Sequence, residues 1–123
     1  GDHSREGVAR DLDIILTRTA RVPLWIVMHD SMNPGCRAGM LAADWSASPH
    51  VHFVDLDFVP GRIVENGGGG AGELWGGLGL ACLLPQVRRG PLAVGQSARQ
   101  MMETLVASQS HCPSPQAAVS RSI

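Results

Sequence analysis

Histidine and aspartate side chains offer the most obvious chemistry in this sequence. His29 and Asp30 directly follow the apolar run at residues 22–28, and His3 lies near the start of the chain. Imidazole and carboxylate groups can transfer protons or bind a metal ion. In a parallel α/β sheet, ligands bind at the carboxyl ends of the strands, where His29 and Asp30 fall if the run is a strand. The pattern therefore predicts that His29 and Asp30 lie together at one edge of the sheet.

A purely structural role for these residues is the alternative. Asp30 and Ser31 are of the types that cap helices, and a helix is expected to follow them. His3 would then only form a hydrogen bond to a loop. The sequence leaves both interpretations open.

His50 and His52 form a second pair of candidate metal ligands. Side chains at positions i and i+2 of a strand share a face, and His29 would complete a zinc-like trio. However, His50 follows Pro49 in an expected loop, and the spacing fixes no third ligand nearby. A structural role is therefore the favoured interpretation of this pair.

Glycine is concentrated in the middle of the chain. Residues 67–72 formally match the pattern G-x-G-x-x-G, but a dinucleotide-binding loop must follow a strand and open a helix. Here Glu73 and another apolar stretch come next, so a flexible hairpin loop is the favoured interpretation. Gly76, Gly77 and Gly79 predict a bulge or a close backbone approach. Trp75 beside them could line a substrate pocket or belong to the core.

Hydrophobic patterns predict the elements that must position these groups. Ser4 is a suitable N-cap for an amphipathic helix. The continuous apolar run predicts a strand that is buried on both faces and is the most buried element of the chain. In the next strand, alternation predicts that Val51 and Phe53 share one face. The predicted elements are helices at 4–19 and 34–44, strands at 23–29 and 51–58, and a final antiparallel strand at 74–84.

Composition limits the classes of fold and function. The chain has 123 residues and a mass of 13.0 kDa, which fits one small domain or part of a larger one. Apolar residues make up 44 %, so a core is expected. All 10 basic residues are arginine and 11 residues are acidic, which leaves a net charge of −1 and makes nucleic acid a poor candidate partner.

The end of the chain differs from the rest. Residues 85–123 carry four arginines and one acidic residue, Glu103, whereas residues 1–84 carry six arginines and ten acidic residues. A helix is expected at 97–107, and the polar residues from Gln109 onwards predict a loose tail. The predicted division is a partial domain at 1–84 followed by this helix and tail at 85–123.

Cysteine usage and hydropathy predict the compartment. Cys36, Cys82 and Cys112 are odd in number and show no C-x-x-C spacing, which argues against a disulfide framework. No apolar run approaches the ~20 residues of a membrane span, and the start of the chain lacks the apolar stretch of a signal peptide. A cytoplasmic protein without a membrane partner is expected.

Four motifs in order resemble those of class I S-adenosylmethionine-dependent methyltransferases. The similarity is to the group that includes sugar and small-molecule O-methyltransferases and cephalosporin-hydroxylase-like proteins. The motifs are Gly1-Asp2-His3-Ser4 with Glu6-Gly7-Val8 and Asp11-Leu12, Ile26-Val27-Met28-His29-Asp30-Ser31-Met32-Asn33, Val54-Asp55-Leu56-Asp57-Phe58-Val59-Pro60-Gly61, and Leu74-Trp75-Gly76-Gly77-Leu78-Gly79-Leu80.

The resemblance implies the C-terminal half of a Rossmann-like methyltransferase sheet, in which the final antiparallel strand lies between the other two. The family's first half, with the glycine-rich loop and the acidic residue that hold the cofactor, has no counterpart here. The expected partners are therefore that missing N-terminal half of the same domain and a small-molecule acceptor. A fragment of this kind is expected to be inactive alone.

The resemblance also implies roles for individual residues, and it places His3 on the same side of the sheet as His29 and Asp30. The parent enzyme would transfer a methyl group from S-adenosylmethionine to a hydroxyl of a small molecule such as a sugar, with His3 as the general base. His29 and Asp30 occupy the positions of an acidic pair that binds a divalent metal in some members. The imidazole of His29 departs from that pattern, because Mg²⁺ prefers oxygen ligands. A metal-dependent hydrolase built on His29, Asp30, His50 and His52, and a non-catalytic α/β interaction module, are the alternatives.

Overall fold

A computed structural model describes residues 3–65 and 72–110 of the chain. It is a mixed α/β structure with one four-stranded sheet and one two-stranded sheet. No helix in these two ranges is long and apolar enough to cross a membrane. The helices are α1 (Arg5–Leu16), α2 (Pro34–Ala42) and α3 (Ser97–Ser110), and the strands are β1 (Leu24–His29), β2 (Val51–Val59), β3 (Arg62–Val64), β4 (Glu73–Trp75), β5 (Leu78–Leu83) and β6 (Val94–Gly95).

The main sheet has the strand order β1-β5-β2-β6. β5 pairs antiparallel with both β1 and β2, so β1 and β2 are parallel to each other and end at the same edge. This arrangement confirms the prediction that the last long strand lies between the first two. β6 adds a short parallel pairing to β2, which places part of the chain beyond residue 85 in the same sheet.

α1 and α2 pack against each other over one face of this sheet. Ser4 caps α1 as predicted, because its hydroxyl accepts a hydrogen bond from the backbone N–H of Gly7 at 3.1 Å. The apolar side of α1 then buries Leu12 and Leu16. These residues join one core cluster with buried side chains of α2, β1, β2 and β5, among them Met40, Met28, Val54, Leu56 and Ala81.

β1 is not the most buried element, so that prediction was wrong. Trp25 and Val27 are 59 % and 64 % exposed, and only Met28 of this strand is buried. The physical reason is that α1 and α2 cover only one face of the sheet, while β1 is its edge strand. The central strand β5 takes the buried position, with four of its six residues buried.

A β-bulge overturns the predicted alternation in β2. Val51 pairs with Leu83, but Phe53 already pairs with Cys82, so His52 is an extra residue in the ladder. As a result Val51 and the next core residue, Val54, face the helices, whereas Phe53 is 43 % exposed on the opposite face.

The predicted strand at 74–84 is divided by a glycine pair. Gly76 and Gly77 have φ values of +76° and +83°, which side chains rarely adopt. β4 therefore turns away and pairs antiparallel with β3, while β5 continues into the main sheet. The glycine-rich run at 67–72 falls mainly on residues 66–71, which lie outside the described part of the chain, so its predicted hairpin loop stays a prediction.

A buried ion pair connects three of these elements. Asp57 of β2 accepts a hydrogen bond at 2.6 Å from Nη1 of Arg37 in α2, and the two side chains are only 1 % and 5 % exposed. The other carboxylate oxygen of Asp57 accepts from the backbone N–H of Arg99 at 2.9 Å, near the start of α3. A single carboxylate thus joins β2, α2 and α3.

We expect the Asp57→Asn variant to lose about 3–5 kcal/mol of unfolding free energy, because the charge of Arg37 stays buried without its counter-ion. Urea unfolding followed by circular dichroism measures this loss. Glu103→Gln is the control, since it removes the half-exposed partner of Arg99 at 2.8 Å and should cost less than about 1 kcal/mol. Equal small losses for both variants would show that the buried pair does not hold the fold together.

Candidate functional site

The carboxylate of Asp30 lies between two imidazoles where β1 ends. Its Oδ2 atom is 3.3 Å from Nε2 of His3 and 3.0 Å from Nδ1 of His29. The Asp30 side chain is 24 % exposed, while those of His3 and His29 are 63 % and 79 % exposed. The structure therefore brings together the three residues that the sequence singled out, on an accessible edge of the sheet.

Asp30 has an unusual backbone conformation. Its φ is +56°, and no other described non-glycine residue has a positive φ. Aspartate tolerates this left-handed region better than most residues, but the conformation still costs free energy relative to glycine. The surrounding turn must therefore hold Asp30 in place.

The glycine pair between β4 and β5 supplies part of that support. The backbone N–H of Met32 donates to the carbonyl of Gly76 at 2.8 Å, and the N–H of Gly76 donates to Oδ1 of Asn33 at 2.6 Å. A Cβ atom on Gly77 would lie 2.9 Å from the hydroxyl of Ser31. The turn at residues 30–33 therefore packs on a backbone that only glycine allows.

Two arginines hold the same turn from the other side. Nη1 of Arg99 donates to the carbonyl of Met32 at 2.7 Å, and Nη1 of Arg37 lies 3.5 Å from the carbonyl of Ser31. Both arginines are bound to Asp57, one through its side chain and one through its backbone N–H. The buried carboxylate of Asp57 therefore supports the turn that carries the exposed carboxylate of Asp30.

His3 is positioned by the close packing of α1 on α2. Gly35 and Gly39 lie one helical turn apart in α2. A Cβ atom on Gly35 would lie 2.8 Å from the carbonyl of His3, and one on Gly39 would lie 2.7 Å from the carbonyl of Arg5. Because glycine has no Cβ, the start of α1 can approach α2 and bring His3 to Asp30.

The thiol of Cys36 lies just behind the site. Its Sγ atom is 3.7 Å from the carbonyl oxygen of His3. Burial raises the pKa of Cys36, and the negative charge of Asp30 raises it further. The thiol is therefore kept neutral at physiological pH and supports the site by packing rather than as a nucleophile.

The other sequence candidates lie elsewhere. Nδ1 of His50 contacts the carbonyl of Leu84 at 3.0 Å, and Nε2 of His52 contacts that of Gln86 at 2.8 Å. Among the described residues, the group able to hold a metal consists of His3, His29 and Asp30, without these two histidines. The trio of His29, His50 and His52 on which the hydrolase alternative depends is therefore not formed.

Trp75 lies next to the supporting turn. Its backbone is followed by Gly76, which is bonded to Met32 and Asn33, and its indole ring is partly exposed. The indole N–H donates to Oε2 of Glu73 at 2.9 Å. This position fits either a pocket wall or a half-buried structural tryptophan.

The simple capping interpretation of Asp30 does not hold. The N-cap of α2 is Asn33, and its side chain bonds to Gly76 rather than to the helix. The carboxylate of Asp30 is instead turned toward the two imidazoles. Such an arrangement can orient an imidazole for proton transfer, or it can bind a metal ion.

The donor set does not fit Mg²⁺. That ion prefers oxygen ligands in octahedral geometry and keeps several waters. Here two of the three converging donors are imidazole nitrogens. These side chains therefore do not form the magnesium-type acidic pair that the sequence resemblance implied.

The supporting residues were missed by the sequence analysis. Asp57 stands in a strand of mostly apolar residues, and Arg37 stands in a helix whose neighbours are small or apolar. A charge in such a position signals a buried partner, although the sequence does not say which one. The spacing of Gly35 and Gly39 in α2 was a second signal in the sequence, because it indicates that another helix packs closely there.

Comparison with known proteins adds no relative. No protein-family model, curated protein or solved structure matches the chain.

We expect Asp30→Gly to be more stable than Asp30→Ala by about 1 kcal/mol, because glycine adopts the positive φ without strain. Both variants lose the carboxylate. The difference between their unfolding free energies in urea therefore reports only the cost of the backbone conformation at residue 30. Asp44, with φ of −89°, is the control, and there the alanine variant should be the more stable one. The same order of stability at both positions would contradict the inferred strain at Asp30.

Proposed function

We propose that this chain supplies the acceptor-side half of an S-adenosylmethionine-dependent methyltransferase acting on a hydroxyl group of a small molecule. The observation that carries the proposal is the pairing of His3 with Asp30, at 3.3 Å, beside the carboxyl end of β1. It is supported by the strand order, in which β5 lies antiparallel between two parallel strands. The class of reaction, methyl transfer to a hydroxyl group, is inferred from the resemblance of the motifs described in the sequence analysis.

His3 acts as the general base in this proposal. When the Nε2–H group of His3 donates a hydrogen bond to Asp30, Nδ1 keeps the free electron pair that can accept a proton from the hydroxyl. S-adenosylmethionine, when bound, would supply an electrophilic methyl group. The acceptor oxygen would displace S-adenosylhomocysteine from that group, and His3 would take the hydroxyl proton. Asp30 orients the ring and balances the positive charge that develops on it.

The cofactor-binding half of the site is proposed to come from outside the described residues. No strand of the described part of the chain pairs with the outer edge of β1. On the face away from α1 and α2, Trp25, Val27 and Phe53 are 59 %, 64 % and 43 % exposed. Sheets with parallel strands are normally covered on both faces. A strand that pairs with β1, followed or preceded by a helix on this face, is the missing N-terminal half that the motifs imply.

Trp75 is proposed to contact the acceptor. It lies beside the turn that carries Asp30, and its partly exposed indole offers an apolar surface with one polar atom already bonded to Glu73. An aromatic ring of this kind stacks on the apolar face of a sugar or another ring. The proposal thus places the acceptor between Trp75 and His3.

We expect the chain of residues 1–123 to give no measurable heat when titrated with S-adenosylmethionine, because the turn and the acid that hold this cofactor belong to the other half. A longer protein, extended through the coding sequence that precedes Gly1, should bind it. Micromolar binding to the chain alone would contradict the assignment of a half-site. So would an upstream sequence without a strand, glycine loop and helix.

In the longer protein, His3→Gln should lower kcat for methyl transfer by about 10²–10⁴-fold, the usual contribution of a positioned base. The cofactor Kd should stay unchanged. His52→Gln is the matched control, because its ring contacts a main-chain carbonyl away from the site. Full activity of His3→Gln against a panel of sugars and other hydroxylated acceptors would exclude His3 as the base.

A further inference from the structure

Three donor atoms converge at the end of β1. Nε2 of His3 and Nδ1 of His29 are the nitrogens nearest to Oδ2 of Asp30, and one ligand atom from each of the three residues lies within 4.8 Å of the others. Two of the three separations are 3.3 Å and 3.0 Å, and both involve the same oxygen. The atoms are thus already grouped around one small volume.

The two separations from Asp30 are close to those of a transition-metal site. When nitrogen and oxygen ligands lie roughly 2.0–2.1 Å from a tetrahedral ion, their donor atoms are about 3.3 Å apart. The two separations from Asp30 therefore need to change by only a few tenths of an ångström. The exposed imidazoles of His3 and His29 can make that adjustment by side-chain rotation.

We propose that His3, His29 and Asp30 form a binding site for a divalent transition metal ion of the zinc type. Two imidazoles and one carboxylate are a donor set that Zn²⁺, Co²⁺ and Ni²⁺ accept, whereas Mg²⁺ requires mostly oxygen. Three protein ligands leave a further coordination position for water or a substrate oxygen. The site therefore differs from a magnesium site in both its ligands and its ion.

The framework around the three ligands is preorganised. Asp30 is fixed by the turn at residues 30–33, which Arg37 and Arg99 hold through main-chain carbonyls. His3 is fixed by the contact of its carbonyl with α2 at Gly35. Only the two imidazole rings remain to be ordered, which keeps the entropic cost of binding low.

Ion binding can be measured without methyl transfer and without the cofactor. A coordinated Nε2 of His3 no longer donates to Asp30, so the ion and the His3–Asp30 pair are two alternative states of the same residues. The ion-binding test below therefore fails or succeeds separately from the proposed methyltransferase function.

Titration calorimetry of the full chain tests the site, with Cys112→Ser introduced in every variant so that this thiol does not compete. After treatment with EDTA and its removal, Zn²⁺ should bind with one-to-one stoichiometry, and Mg²⁺ should give no measurable heat. His3→Gln, His29→Gln and Asp30→Asn should each weaken Zn²⁺ binding by roughly 10-fold or more. His50→Gln and His52→Gln are matched controls and should leave the affinity unchanged.

The visible spectrum of Co²⁺ gives a second measurement on the same chain. Coordination by the three side chains should replace the weak octahedral spectrum of the hydrated ion with stronger four- or five-coordinate absorption, and His3→Gln should abolish this change. Circular dichroism of each variant confirms that the exposed substitutions leave the fold intact. Absence of Zn²⁺ binding, equal affinity for Mg²⁺, or a loss caused by the His50 or His52 variant instead of the His3 variant would overturn the proposal.

Discussion

The buried carboxylate of Asp57 is the interaction on which the rest of this structure depends. It neutralises Arg37, whose Nη1 also bonds to the carbonyl of Leu56, and it accepts the backbone N–H of Arg99. A buried charge is tolerated only when it is paired and hydrogen-bonded, so α2, β2 and α3 are held in one arrangement. The turn beyond β1 rests on the same two arginines. The buried carboxylate of Asp57, which no ligand can reach, thus helps to fix the position of the accessible Asp30.

The site combines a rigid main chain with accessible side chains. Asp30 sits in a left-handed conformation that its neighbours enforce, and His3 reaches it because Gly35 lets α1 approach α2 closely. The imidazoles of His3 and His29 stay largely exposed, so they can meet a substrate or an ion without rearrangement of the core. Backbone strain beside reactive groups is commonly found where function rather than stability determines the conformation.

Local patterns in the sequence were sufficient for much of this arrangement. The N-cap at Ser4 follows from its residue type and the burial of Leu12 and Leu16 from helical spacing, whereas the meeting of His3 with Asp30 was expected from the motif resemblance. Burial of β1 was mispredicted because an apolar run does not show which face another element covers. The bulge at His52 depends on the partner strand, and the pairing of Asp57 with Arg37 depends on tertiary contacts, so neither could be inferred from neighbouring residues.

The protonation of the two imidazoles tests the central claim, that Asp30 organises His3 and His29, most directly. Two-dimensional ¹⁵N–¹H spectra of the metal-free chain at neutral pH distinguish the nitrogen that carries the proton. The contacts with Asp30 predict the Nε2–H form for His3 and the less common Nδ1–H form for His29, with both preferences changed by Asp30→Asn. Two freely exchanging rings that do not respond to Asp30→Asn would contradict the account.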